Sequence, residues 1–230
     1  MDIRTNHITT TRTCRFATYG QLSERTKYFW FCLHGTKMVC DQMIYKFSEF
    51  DPETHYVVAP EGMSRVYANG FGGEVVATWM TSRDRLEEIN DFSNYLSLLY
   101  NQEVEKLPAT CKKILFGFSQ GGTTLYRWLH STKTAADFLI GHSCWIPEEI
   151  DLKEGKTDFN QIPSVYTYGK NDQFLTDERI AEVEAVISKN NLKVEVLPFE
   201  GEHRIEKAWL RKLWQEQISD AQRDLSLIHI

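Results

Sequence analysis

Gly117-Phe118-Ser119-Gln120-Gly121 fits the pattern G-x-S-x-G, in which a serine rides on a sharp turn from a strand into a helix. The context agrees. The apolar run Lys113–Phe118 leads into the serine, and a segment of helical character, Gly122 to His130, follows it. Glycines two residues either side let the turn form without side-chain collisions, and Gly122 leaves room for the helix to approach the sheet. The Ser119 oxygen then stands at the carboxyl end of its strand, where open α/β sheets meet ligands. A serine hydroxyl is a weak nucleophile at neutral pH. It needs a base within hydrogen-bond reach, and that base needs an orienting acid.

On this turn the chain order is Ser, then Asp or Glu, then His. Histidines 130, 142, 203 and 229 follow Ser119. His130 lies on the helix after the turn, about 16 Å along its axis, and is out of reach. His142 falls within a candidate strand and suits a hydrogen-bonded core or edge position, and His229 sits in an apolar tail. His203, in a loop between a strand and a helix, is the expected base. For the acid, Asp172 follows a strand in Tyr168-Gly169-Lys170-Asn171-Asp172 and is preferred, with Asp177 second. Asp177 is also explained as a first-turn helix residue favoured by the helix dipole. Asp151 and Asp158 sit in a polar stretch, 148–161, read as solvated loop.

Attack on an acyl carbonyl builds an oxyanion that two backbone N–H groups could hold. The expected donors are Gln120, next to the serine, and Thr36, in the loop Leu33-His34-Gly35-Thr36-Lys37-Met38 that leaves an earlier strand. The alternative is that His34-Gly35 is a plain turn.

These groups need a framework. Nearly continuous apolar or aromatic runs at Tyr28–Leu33, His55–Ala59, Lys113–Phe118, Asp137–Cys144, Ser164–Tyr168 and Lys193–Phe199 read as strands covered on both faces of a mostly parallel sheet. Between them lie helical stripes. Val39, Met43, Phe47 and Phe50 form one, ended by Asp51-Pro52. Leu86, Ile89, Ser93, Leu96 and Tyr100 form another. Ile180, Val183 and Ile187 follow Thr176 as N-cap, and Ile205, Trp209, Leu210 and Leu213 make the last. The alternation predicts a layered α/β fold. The Thr-rich segment Ile8 to Tyr19 suits one or two antiparallel edge strands. No repeat or linker interrupts the chain, so residues 1–230 are expected to form a single domain. The terminal SLIHI is either a docked end or a frayed tail.

With 26 basic and 32 acidic side chains, a formal net charge of −6, no general affinity for nucleic acid is expected. No secretory leader is read at the N-terminus, and the densest apolar run, Tyr28–Leu33, is far too short to span a bilayer, so no integral membrane association is expected. The five cysteines include no C-x-x-C pair. They read as buried thiols of a cytoplasmic protein. Neither HExxH nor an EF-hand pattern occurs, and no metal is expected. The Gly-rich Asn69–Gly73 lacks both phosphate-loop and dinucleotide spacing and is read as a flexible turn. The long loop after His55–Ala59, from Pro60 to about Arg83, is expected to overhang the serine as a substrate wall, with Trp79 and Phe71 touching the ligand. Some twenty residues separate the strands at 137–144 and 164–168, too few for a lid domain, so a shallow, open pocket is expected.

Leu33-His34-Gly35, Gly117–Gly122, the stretch ending in Asp172 and Gly201-Glu202-His203 together resemble the α/β-hydrolase superfamily, and within it the phospholipase/carboxylesterase group that includes the acyl-protein thioesterases. The spacing is similar too: Asp172 lies 53 residues after Ser119, and His203 a further 31. The resemblance implies an α/β-hydrolase fold with helices on both faces of the sheet and a cofactor-free serine esterase. It carries Ser119, Asp172 and His203 as the triad, with the N–H groups of Thr36 and Gln120 as the oxyanion hole. The sequence departs from the group where Thr36-Lys37-Met38 replaces an apolar residue, Gly and Asp, which puts Met38 and its neighbours on the acyl side of the site. The expected partner is a small or short-chain ester, with a lysophospholipase or acyl-protein thioesterase as the alternative and a catalytically silent binding scaffold as a third reading. A homodimer is left open.

Overall fold

A computed structural model describes residues 1–219. In chain order the elements are β1 (Phe16–Tyr19), β2 (Tyr28–Leu33), α1 (Cys40–Tyr45), β3 (His55–Pro60), β4 (Ser64–Tyr67), β5 (Val75–Thr78) and α2 (Arg85–Val104). There follow β6 (Lys112–Phe118), α3 (Gln120–Ser131), β7 (Phe138–His142), β8 (Ser164–Gly169), α4 (Asp177–Lys189), β9 (Val194–Phe199) and α5 (Lys207–Gln217). The SLIHI segment and His229 lie outside the described residues.

Seven strands form one sheet in the order β1-β3-β2-β6-β7-β8-β9, and every pairing is parallel except that of β1 with β3. The alternation of strand and helix in the sequence thus becomes a parallel sheet through crossover connections. Strand β2 shows why its run is apolar throughout. Phe29, Phe31 and Leu33 pack with α2, α3 and α4 on one face. Tyr28, Trp30 and Cys32 pack on the other, against Met43, Phe47 and Phe50 and against Leu210 and Leu213 of α5. Burying each large apolar side chain in this way is worth about 1.5–3 kcal/mol before the entropy of ordering is set against it.

Parallel register brings the carboxyl ends of the strands to one rim. Leu33 lies opposite Gly117, Phe118 opposite His142, and Gly169 opposite Phe199. The loops that begin at residues 34, 119, 143, 170 and 200 therefore open on the same edge.

Two expectations change. The segment 60–83 is not a loop without structure: β4 and β5 pair antiparallel as a hairpin. That hairpin is fastened to the loop after β2 by Lys37 N–H donating to Ala77 O at 2.9 Å and Ala77 N–H donating to Met38 O at 3.1 Å. In 148–161, Asp151 and Asp158 cap two single 3-10 turns by accepting from the N–H of Lys153 and of Asn160.

Candidate active site

Ser119 sits at φ 53°, ψ −125°, a strained conformation for a residue with a side chain. It is held there from both sides, because its N–H donates to His142 O at 2.9 Å and its carbonyl accepts from Gly122 N–H at 2.9 Å. Helix α3 can start immediately afterwards because Gly121 has no side chain. A Cβ there would lie 2.2 Å from the carbonyl oxygen of Leu33 and 2.5 Å from that of His34.

The rim loops bring the imidazole of His203 to this serine. His203 Nε2 lies 3.0 Å from Ser119 Oγ, and His203 Nδ1 lies 2.6 Å from Asp172 Oδ2. This geometry suits a tautomer in which Nδ1–H donates to the carboxylate and Nε2 accepts from the hydroxyl. Asp172 is placed by the turn after β8, where its Oδ1 accepts from Phe174 N–H at 2.8 Å. Two backbone bonds join the Asp172 loop to the loop after β9, from Lys170 N–H to Phe199 O and from Asn171 N–H to Gly201 O, both at 2.8 Å. Burial pushes the Asp172 carboxyl up, but hydrogen bonds from His203 and from the Phe174 N–H outweigh it and hold the group below the usual carboxylate range. The His203 ring lies against Phe118 at 5.0 Å and meets the edge of Phe174 at 4.8 Å.

His142 and Asp177 have other places in the structure. His142 is buried, and its Nε2 lies 3.1 Å from Arg204 O, so it braces the backbone next to His203. Burial lowers its pKa to about 4, which keeps the ring neutral. Asp177 stands in the first turn of α4.

The loop 34–36 rests directly on the serine turn. A Cβ on Gly35 would lie 2.9 Å from the Phe118 ring and 3.2 Å from Ser119 Cβ. Gln120 is the first residue of α3, where a helix N–H has no intrahelical acceptor. Thr36 and Gln120 line the same cavity as Ser119 and His203. The Gln120 side chain has a second task that its sequence position did not suggest. Its Oε1 accepts from Thr78 Oγ1 at 2.7 Å and from Trp79 N–H at 3.0 Å, while its Nε2 donates to Met80 O at 2.8 Å. Thr36 Oγ1 donates to Thr78 Oγ1 at 3.2 Å, so one chain of polar side chains joins both expected oxyanion residues to the end of the hairpin.

The cavity over the serine measures about 950 Å³, at the upper end of the range for small-molecule sites. It is roomier than the shallow pocket expected, with an apolar wall of Ile146 after β7, Leu175 between β8 and α4, and Val183 and Val186 of α4. Met38 lines it, as expected. Two of the expected substrate contacts are not brought there. Phe71 stands fully exposed at the hairpin tip. Trp79 is buried, its Nε1 donating to His34 O at 2.8 Å and its ring packed against His34 and Phe92. The sequence reading also passed over Arg127 and Glu149 on the cavity wall. A signal was available, since Arg127 is a lone charge within an otherwise uncharged helix.

Among the described residues, two groups of metal-ligand type lie elsewhere. His7, Asp84 and Glu87 cluster on the exposed surface. Cys40, Asp41 and Glu61 converge around Arg15, whose guanidinium approaches Cys40 Sγ at 3.4 Å and Asp41 Oδ2 at 2.6 Å and supplies the positive charge there.

Among known proteins, the phospholipase/carboxylesterase family profile matches residues 33–218. No curated protein sequence matches the chain. Solved structures resemble it in fold. Acyl-protein thioesterase 2 from Zea mays is 18% identical, with a TM-score of 0.67 over 88% of this chain and 96% of that one. A phospholipase/carboxylesterase from Dyadobacter fermentans is 17% identical, with a TM-score of 0.64 over 89% and 96%. A carboxylesterase from Bacillus cereus is 14% identical, with a TM-score of 0.59 over 86% and 94%. With its parallel sheet, strained serine turn and family profile spanning most of its length, the chain belongs to the phospholipase/carboxylesterase family of α/β hydrolases.

Proposed function

We propose that the protein is a serine esterase that cleaves carboxylic esters through an acyl-enzyme. The observation that carries this reading is the continuous chain from Ser119 Oγ through His203 to Asp172, at 3.0 and 2.6 Å. His203 Nε2 takes the hydroxyl proton as Ser119 Oγ attacks the ester carbonyl. Asp172 holds the ring in orientation and offsets the positive charge that forms on it. The N–H groups of Gln120 and Thr36 receive the oxyanion. The protonated His203 then gives its proton to the departing alcohol, and the C–O bond breaks. Water repeats the cycle, with His203 as its base, to release the carboxylic acid and restore Ser119.

The test is the hydrolysis of a short-chain aryl ester by the protein and by Ser119→Ala. The substitution is expected to remove at least about a thousandfold of kcat/KM. Retention of most of the activity overturns the reading. Labelling of the folded protein by a fluorophosphonate separates it from a silent scaffold. The cavity volume and its apolar wall favour a second reading within the same chemistry, a lysophospholipase or thioesterase acting on longer acyl groups. A series of acyl chain lengths on ester and thioester distinguishes the two.

A further inference from the structure

Around the serine the local charge runs against that of the whole chain. The formal net charge is −6, yet Lys37, Lys46, Arg85, Arg127, Arg179 and Arg204 all lie on the cavity wall. Among the described residues, the carboxylates on that wall are Glu148, Glu149 and Glu182, and Arg204 is matched beside it by Glu202 and Glu206. A cleft with a surplus of one sign concentrates potential and draws in ligands of the other.

Arg127 is the unusual member of the group. It lies on α3 eight residues past Ser119, and its side chain is only 4% exposed. Its Nε donates to Glu149 Oε1 at 3.0 Å, and its Nη2 donates to the same oxygen. Arg85 Nη2 donates to that oxygen as well, at 3.0 Å. Two guanidiniums thus share one carboxylate, and one positive charge is left over. Among the described residues, Arg127 Nη1 meets only the Met80 thioether, at 3.3 Å, a weak acceptor that itself lines the cavity. A simple buried ion pair would be complete with Arg127 and Glu149. It accounts neither for Arg85 converging on the same oxygen nor for a buried guanidinium donor turned towards sulphur.

We infer that Arg127 and Arg85 form an anion subsite, which selects esters that carry a carboxylate remote from the bond being cleaved. This rests on the esterase reading of Ser119. Eight helical residues separate the α-carbons of 119 and 127 by about 12 Å, and helical side chains lean back towards the N-terminus. The remaining span suits a few methylene groups between the scissile carbonyl and the carboxylate. Guanidinium and carboxylate can then pair through two parallel hydrogen bonds.

The experiment compares kcat/KM for p-nitrophenyl half-esters of glutaric, adipic and suberic acids with neutral p-nitrophenyl esters of matching length. A second arm places the carboxylate on the leaving phenol, as in 4-acyloxybenzoates, and so tells acyl-side from alcohol-side recognition. A preference of about tenfold or more for the anionic member is expected in one arm, as a charge-assisted hydrogen bond implies. Arg127→Met and Arg85→Met are each expected to remove it while neutral esters stay within about twofold. The neutral rate reports correct folding, and Arg85, with a half-exposed side chain, gives a variant that does not disturb the core. Absence of preference in both arms, or a preference that survives both substitutions, overturns the subsite. Calorimetric binding of monomethyl adipate to Ser119→Ala, with and without Arg127→Met, tests the subsite without turnover. Loss of binding with the second substitution supports it, and equal binding overturns it. Failure of Ser119-dependent hydrolysis alone strikes the esterase reading instead.

Discussion

The side chain of Asp172 is wholly shielded from water and would on that account resist ionisation, yet hydrogen bonds from His203 and from backbone N–H groups keep it charged. An amide in its place could accept those backbone bonds but would not stabilise a positive ring. Asp172→Asn is therefore expected to leave the fold intact and to lower kcat by about 10⁴-fold, as the imidazole loses its orienting charge. An ester assay alongside circular dichroism checks both halves, and near-normal turnover would remove Asp172 from the mechanism. Gln120 shows the limit of reading a residue by its place in a motif. The motif identified its backbone N–H, whereas the side chain ties Thr78, Trp79 and Met80 over the serine. No local pattern announces that second role, because all three partners lie some forty positions earlier in the chain.

The hairpin β4–β5 is the element that the sequence reading missed, and the signal for it was present. Asn69-Gly70 between stretches holding Val66 and Val75-Val76 is a hairpin pattern. Each strand is only four residues long, however, and their mixed exposure conceals the alternation. The hairpin carries Phe71 outward and leads Trp79 inward, so the two aromatics are expected to behave differently. Phe71→Ser should leave both kcat/KM and stability nearly unchanged, within about 0.5 kcal/mol. Trp79→Phe should cost about 1–3 kcal/mol, since the buried carbonyl of His34 loses its indole donor. Urea titration of both variants checks the contrast, and a larger loss for Phe71→Ser would contradict this placement.

Across the whole molecule, buried histidines make stability depend on acid, and burial holds His34 below its ordinary value as well. Burial lowers the pKa of His55 and of His142 to about 4, from an ordinary value of 6.5. As pH falls from 6.5 towards 4, the unfolded chain takes up protons that the folded one refuses. Stability is therefore full above 6.5 and declines through that window, by up to about 3 kcal/mol for each ring. Tm measured between pH 7 and 4.5 is expected to fall steadily, and a flat profile would show that these rings protonate without unfolding. On the same whole-chain scale, the strand runs, the strand–serine–helix turn and the preferred places of Asp172 and His203 were legible from the sequence. Each of these depends on residues adjacent in the chain, through apolar periodicity, turn glycines and position at the end of a strand. The tertiary structure alone decided the distances that join Ser119, His203 and Asp172, the burial of Trp79, the size of the cavity and the meeting of Arg85, Arg127 and Glu149. Those features follow from the order of strands in the sheet and the paths of the loops above it, which bring together side chains whose local surroundings carry no trace of one another.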